Sequence, residues 1–200
     1  MKTLAVTGLE KTYGTKTLLA GIDFAIRTGD RIGLIGPNGT GKSSFLKVLA
    51  DQTDYDQGTI DKPKDYRIAY LAQNPELDPN QTILDTVFAG DTPELKLLHD
   101  YEVANLALLS DPDNSQLQEA FQTITEAMNQ ADAWQIEVKA KTVLTQLGLV
   151  NLNKRVGDCS GGEQKRIGIA QVLIAEPDLL ILDEPTNHLD INSVQWLEKY

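Results

Sequence analysis

Gly36-Pro37-Asn38-Gly39-Thr40-Gly41-Lys42-Ser43 follows the apolar run Ile32-Gly33-Leu34-Ile35 and precedes an amphipathic segment that reaches about Asp51. The order reads as strand, glycine loop, helix, and the loop fits the phosphate-binding pattern GxxxxGK[ST]. Gly36, Gly39 and Gly41 let the backbone turn with positive φ and aim its N–H groups at phosphate oxygens, while the helix start adds a favourable dipole. Lys42 offers a point charge to the outer phosphates, and the Ser43 hydroxyl can ligate Mg2+. A chance glycine turn is the competing explanation. The strand before the loop and the helix after it reduce its weight.

Working outward, Leu179-Leu180-Ile181-Leu182-Asp183-Glu184 reads as a second buried strand that ends in two carboxylates. A parallel sheet presents that end to a ligand, and Ile32–Ile35 is predicted to lie in the same parallel sheet. Asp183 is positioned to hold a metal through water, and Glu184 to polarise an attacking water. Strand followed by acid is common at ordinary strand ends, so this pair takes its weight from the glycine loop. Cys159-Ser160-Gly161-Gly162-Glu163-Gln164 opens a helix that runs to about Ala175. Ser160 is a natural N-cap. The segment is either a well-capped helix or a second anion site whose glycines leave room for a phosphate.

The first thirty residues alternate apolar with polar or small positions between Gly8, Gly14, Gly21 and Gly29, which predicts an antiparallel sheet. Residues 93–137 behave differently. Leu97, Tyr101, Ala104 and Leu108 fall on one helical face, Asp111-Pro112-Asp113-Asn114 makes a turn, and Ser115 with Gln118 is predicted to cap a second helix. These residues carry nine acidic groups against one lysine, −8 of the chain's net −11. A third helix with Ile136, Ala140, Val143, Leu144 and Leu147 aligned stops at Gly148.

With 200 residues, 41% hydrophobic and 24% charged, the chain is long enough to bury its own core. No stretch reaches the roughly 20 apolar residues of a membrane span, and the start lacks a signal peptide's apolar core, so a cytoplasmic location is expected. The single cysteine excludes an internal disulfide and most cysteine-based metal sites. A net charge of −11 is the wrong sign for holding nucleic acid by a broad electrostatic footprint, so direct nucleic-acid binding by this chain is not supported.

SGGEQ about twenty residues before LLILDEP resembles the signature motif of ATP-binding cassette (ABC) ATPases, normally LSGGQ, here with Cys159 in the leucine position and Glu163 before the glutamine. The order of glycine loop, Gln73, signature and acidic pair matches that family over essentially the whole chain. The resemblance implies an α/β P-loop fold of ABC type. Its parts are a mixed or parallel sheet core, an antiparallel β subdomain and a helical subdomain carrying a helical-hairpin insertion. Residues 1–92 and 138–200 are expected to form the nucleotide-binding domain, C-terminally incomplete, with 93–137 as an arm-like insertion.

The resemblance also implies roles. ATP and Mg2+ are the expected ligands. Nucleotide contact falls to Tyr13, which stacks on adenine, and to Gly36, Pro37, Asn38, Gly39, Thr40, Gly41, Lys42, Ser43 and Ser44. Ser160, Gly161, Gly162, Glu163 and Asp190 reach the nucleotide of a partner domain. Ser43, Gln73 and Asp183 serve the metal, and Glu184 with Gln73 the hydrolysis. His188 is not the family's switch histidine, which lies beyond a further strand. His99 is read as a solvated surface residue and Cys159 as a small apolar one.

PTNHLD after Glu184, GLIGPNGTGKSS and the helical insertion resemble the F subfamily, soluble proteins with two such domains in one chain that act on ribosomes. A second nucleotide-binding domain, in the same full-length chain or in a homodimer, and the ribosome are then the implied partners. The acidic insertion departs from a basic RNA-gripping arm. A transporter ATPase and a nucleotide-dependent binding module without essential turnover share the same site. No NKxD-like guanine-reading motif is present, which disfavours P-loop GTPases.

Overall fold

The structure is a computed structural model and describes residues 2–186, 189 and 191–200. The chain divides into two compact units, Met1–Ala72 with Pro177–Asp183, and Gln73–Glu176 with Glu184–Tyr200.

In the first unit, β1 (Thr3–Tyr13), β2 (Lys16–Arg27) and β3 (Gln57–Asp61) form an antiparallel sheet in the order β2-β1-β3. Leu4, Val6 and Leu9 of β1 are all buried although their spacing breaks the strand period of two. The register shifts between Val6 and Leu9, and Gly8 takes φ +59° there, so the chain returns Leu9 to the core face. Gly58 makes that approach possible, because a Cβ at 58 would lie 2.5 Å from the Gly8 carbonyl oxygen. Helix α1 (Lys42–Leu49) contributes Val48 and Leu49 to the same core, with Leu19, Tyr66 and Ile181. Phe24 and Phe45 meet with ring centroids 5.4 Å apart.

Strands β4 (Ile68–Leu71) and β5 (Leu179–Leu182) pair in parallel, from Ile68 opposite Leu179 to Leu71 opposite Leu182. The sequence places Ile32–Ile35 in that sheet, and the structure corrects this. The run forms no strand and exposes Ile32, Leu34 and Ile35, the last at 95%. A strand exists only with a ladder partner. β4 is the strand paired with β5, and among the described residues nothing pairs with Ile32–Ile35.

The second unit is helical: α2 (Ile83–Val87), α3 (Pro93–Ser110), α4 (Ser115–Gln130), α5 (Trp134–Gln146), α6 (Gly161–Ile174) and α7 (Ile191–Lys199). Leu98, Met128, Val143, Leu147, Ile167, Ile169 and Leu173 are fully buried within it. Each such side chain contributes about 1.5–3 kcal/mol. α3 and α4 pack as a hairpin, and Tyr101 meets Phe121 at a tilt and Trp134 edge-on, at centroid distances of 5.5 and 5.3 Å. The cap of α4 is Asn114 rather than Ser115. Its side-chain oxygen accepts from the Gln116 and Leu117 N–H groups, while Gln118 turns back to donate to the Pro112 carbonyl. Asparagine caps as well as serine, and one residue earlier it already closes the turn. Among the described residues no helix is long and apolar enough to cross a membrane.

Candidate functional site

The glycine loop belongs to the first unit. Gly39 and Gly41 take φ +75° and +97°, and Gly41 is the N-cap of α1 with no side-chain cap on the helix. The first N–H groups of α1 therefore lack a side-chain acceptor, the arrangement that receives an anion. Lys42 Nζ donates to the Gly36 and Pro37 carbonyl oxygens at 2.7 and 2.9 Å, so the ammonium is held over the loop. Thr40 Oγ1 also donates to Pro37 O, at 2.9 Å. Lys16 Nζ donates to Gly39 O at 2.8 Å and ties the β1–β2 turn to the loop. Tyr13, which ends β1 beside that turn, is 79% exposed, and its ring face is open to stacking. Ser43 and Ser44 lie in the first turn of α1, and Asn38 in the loop before it.

Asp183 follows β5 in the same unit, buried, with its N–H donating to Leu71 O at 3.0 Å. The Tyr70 hydroxyl donates to its carboxylate at 3.4 Å. Burial, then the charge of Asp183 and this hydrogen bond, push the Tyr70 phenol up to about 12.

In the second unit Ser160 caps α6. Its hydroxyl accepts from the Glu163 N–H at 3.3 Å, and the Glu163 carboxylate accepts from the Ser160 N–H at 2.9 Å. Glu163 Oε1 also accepts from Lys154 Nζ at 2.9 Å. The Lys154 hydrogen bond first, then those from the Ser160 backbone and hydroxyl, hold the Glu163 carboxyl down at about 2. Gly161 has nothing within 4 Å of where a Cβ would stand. Cys159 is buried with its thiol on the Arg155 carbonyl, in keeping with a small apolar residue.

Gln73 and Glu184, distant in sequence, meet in this second unit. Gln73 Nε2 donates to Glu184 Oε2 at 2.7 Å. Glu184 has φ +48°. Among the described residues three other non-glycines are left-handed, Asp51, Asp132 and Glu176, and each directly follows a helix C-cap, where that conformation is ordinary. Glu184 instead follows a strand, and its strain has no such local reason. A cavity of about 200 Å3 lies between the start of α6 and the Gln73 loop, lined by Gln73, Asn74, Pro75, Gly161, Gly162, Gln164 and Lys165.

Two residues go beyond the sequence reading. Lys165 is 3% exposed and reaches the carbonyl oxygens of both Gln73 and Glu184. His99 is half-buried and paired rather than freely solvated. Its Nε2 lies 2.9 Å from Asp85 Oδ1, and Asp85 is the capping-box residue of α2. The pairing needs α2 and α3 to be placed, so no local pattern announces it. Asp190, Asn187 and His188 lie outside the described residues.

Among the described residues no three His, Cys, Asp or Glu side chains gather as a metal cluster. The Ser43 hydroxyl, Gln73 amide oxygen and Asp183 carboxylate are all hard oxygen donors. That chemistry fits Mg2+, which keeps waters and takes phosphate oxygens rather than a full protein cage.

The chain is 46% identical over 200 residues to the uncharacterized ABC transporter ATP-binding protein YfmR of Bacillus subtilis (strain 168), covering 100% of this chain and 32% of that protein. It is 34% identical over 193 residues to the energy-dependent translational throttle protein EttA of Mycobacterium tuberculosis, covering 96% of this chain and 34% of that protein. The chain thus spans about a third of the length of these relatives, and they bear out the resemblance to the F subfamily. A solved dimeric ATP-binding cassette in a post-hydrolysis state, bound to ADP and Pi, shares the fold with a TM-score of 0.64. The two are 21% identical, over 98% of this chain and 80% of that one. The family model described as ABC transporter matches residues 19–187. That match runs from within β2 to just past the carboxylate pair, most of the chain, and this chain accordingly belongs to the ABC transporter family of ATP-binding domains.

Proposed function

We propose that this chain is the nucleotide-binding part of an ATP-hydrolysing clamp that closes on a second, similar domain. The observation that carries the reading is the Gln73 to Glu184 hydrogen bond at a left-handed Glu184, which presents one carboxylate in a fixed orientation. The loop Gly36–Ser44 and Lys42 bind the phosphates, and Tyr13 stacks on the base. Glu184 accepts a proton from the water that attacks the terminal phosphorus as the bond to the bridging oxygen breaks. Mg2+, when bound by Ser43, Gln73 and Asp183, supplies charge neutralisation on the phosphate oxygens. Ser160, Gly161, Gly162, Glu163 and Asp190 serve the nucleotide of the partner domain, so a lone domain binds ATP and turns it over poorly. ATP then closes the clamp and hydrolysis releases it.

The client in this reading is the ribosome, as for an F-subfamily protein. The α3–α4 hairpin within residues 93–137, taken as an arm-like insertion, supports it together with the relative named a translational throttle. The net −8 of those residues argues that contact with RNA comes from elsewhere in the full-length protein. The test is co-sedimentation of the full-length Glu184→Gln protein with ribosomes. ATP-dependent pelleting is expected, and equal recovery with and without ATP would overturn the ribosomal reading. The second reading, an ATP-binding subunit of a transporter, is favoured by the name of the 46% identical relative, an ABC transporter ATP-binding protein, and predicts capture of membrane subunits instead.

A further inference from the structure

The second unit holds a buried lysine that the reaction as described does not use. Lys165 stands on the second turn of α6, the helix whose N-terminus is Ser160–Gly162, and it is 3% exposed. Lysine is almost never buried to this degree without partners, because its ammonium loses most of its hydration. Two of its partners are main-chain oxygens. Nζ donates to Gln73 O at 2.5 Å and to Glu184 O at 3.3 Å. These are the same two residues whose side chains are joined at 2.7 Å. Lys165 therefore clasps by its backbone the pair that is already joined by its side chains.

The clasp acts where the chain is strained. Glu184 is held at φ +48° outside any helix end, a conformation costing on the order of 1–3 kcal/mol that persists only where surroundings over-determine it. A charge-assisted bond to the Glu184 carbonyl is one such determinant. We infer that Lys165 is a positioning residue, fixing the Gln73–Glu184 pair in register with the first turn of α6. It thereby links the end of the helix offered to one nucleotide with the carboxylate that serves the other. The inference rests on the hydrolytic reading of Glu184.

The experiment is steady-state ATP turnover and ATP-binding stoichiometry on the full-length protein carrying Lys165→Met, Glu184→Gln, or both. Lys165→Met is expected to lower kcat about tenfold while the KM for ATP stays within about twofold and binding stoichiometry is unchanged. Lys165→Arg, which keeps the charge, should recover part of the loss. In the Glu184→Gln background Lys165→Met should have no further effect, since both act on one group. Parental kcat in Lys165→Met beside a crippled Glu184→Gln would overturn the Lys165 role and leave the Glu184 reading standing. A fall in stoichiometry that matches the fall in rate would overturn positioning in favour of a folding role. Parental turnover in Glu184→Gln would sink both. Should Lys165→Met not fold, Lys165→Gln reads the same separation of kcat from KM.

Discussion

Gln73 Nε2 lies 2.7 Å from Glu184 Oε2, although 111 residues separate the two in the chain. The bond orients a carboxylate whose backbone is already in an uncommon conformation. Gln73→Ala removes the side-chain donor while leaving the Gln73 carbonyl for Lys165. Turnover of the full-length protein should fall about tenfold, in the range of one lost hydrogen bond to a charged group. Because the pair is exposed, the melting temperature should barely move. Steady-state kinetics beside a thermal scan checks both halves.

Two glycines should respond in opposite ways. Gly41 has φ +97°, and a Cβ there would lie 3.3 Å from Leu18 Cβ, so Gly41→Ala should cost about 1–2 kcal/mol and weaken ATP binding. Gly161 opens α6 with free space around it, and alanine is the better helix former, so Gly161→Ala should leave stability equal or slightly higher. If Gly161 faces a partner's phosphate, the same variant should nevertheless lose turnover. Urea unfolding and ATPase rates on both variants separate these effects.

The cap of α6 predicts an acid limb. Glu163 is held at about 2, so its contribution to stability is fully present above its ordinary value of 4.5 and is lost as pH falls toward 2. Glu163→Gln should therefore flatten the loss of stability between about pH 4.5 and 2 while lowering stability at pH 7. Ser160→Ala should cost about 1 kcal/mol at neutral pH. Thermal melts across that pH range provide the check.

His99 predicts the opposite sign. Burial alone would push its imidazole down, but the hydrogen bonds to Asp85 and Asp100 together outweigh it and raise the group above 6.5. Its pairing then stabilises fully below pH 6.5 and is lost as pH rises through the raised value. The stability difference between the parent and His99→Gln should be larger at pH 6 than at pH 8.5, as read from denaturant midpoints.

Much of this was legible because the signals are local. The glycine loop, the Ser160 cap, the Gly148 stop and the period of the hairpin helices each depend on residues within a few positions. Ile32–Ile35 failed for the complementary reason, since an apolar run says that a strand is wanted but not whether a partner is at hand. Asn114 displaced Ser115 because neighbouring cap formers compete and geometry decides. Lys165 and His99 were invisible for a third reason. A lysine in a charged helix turn and a histidine on a helix face look solvated until the segments that cover them are placed.

The role proposed for Glu184 is to drive ATP hydrolysis in a clamp whose binding loop is Gly36–Ser44. Its most direct test is retention of radiolabelled ATP with Mg2+ by the full-length Glu184→Gln protein after rapid gel filtration. The variant should retain uncleaved ATP, with turnover at least about a hundredfold below the parent. Release of ADP and phosphate at the parental rate would contradict it.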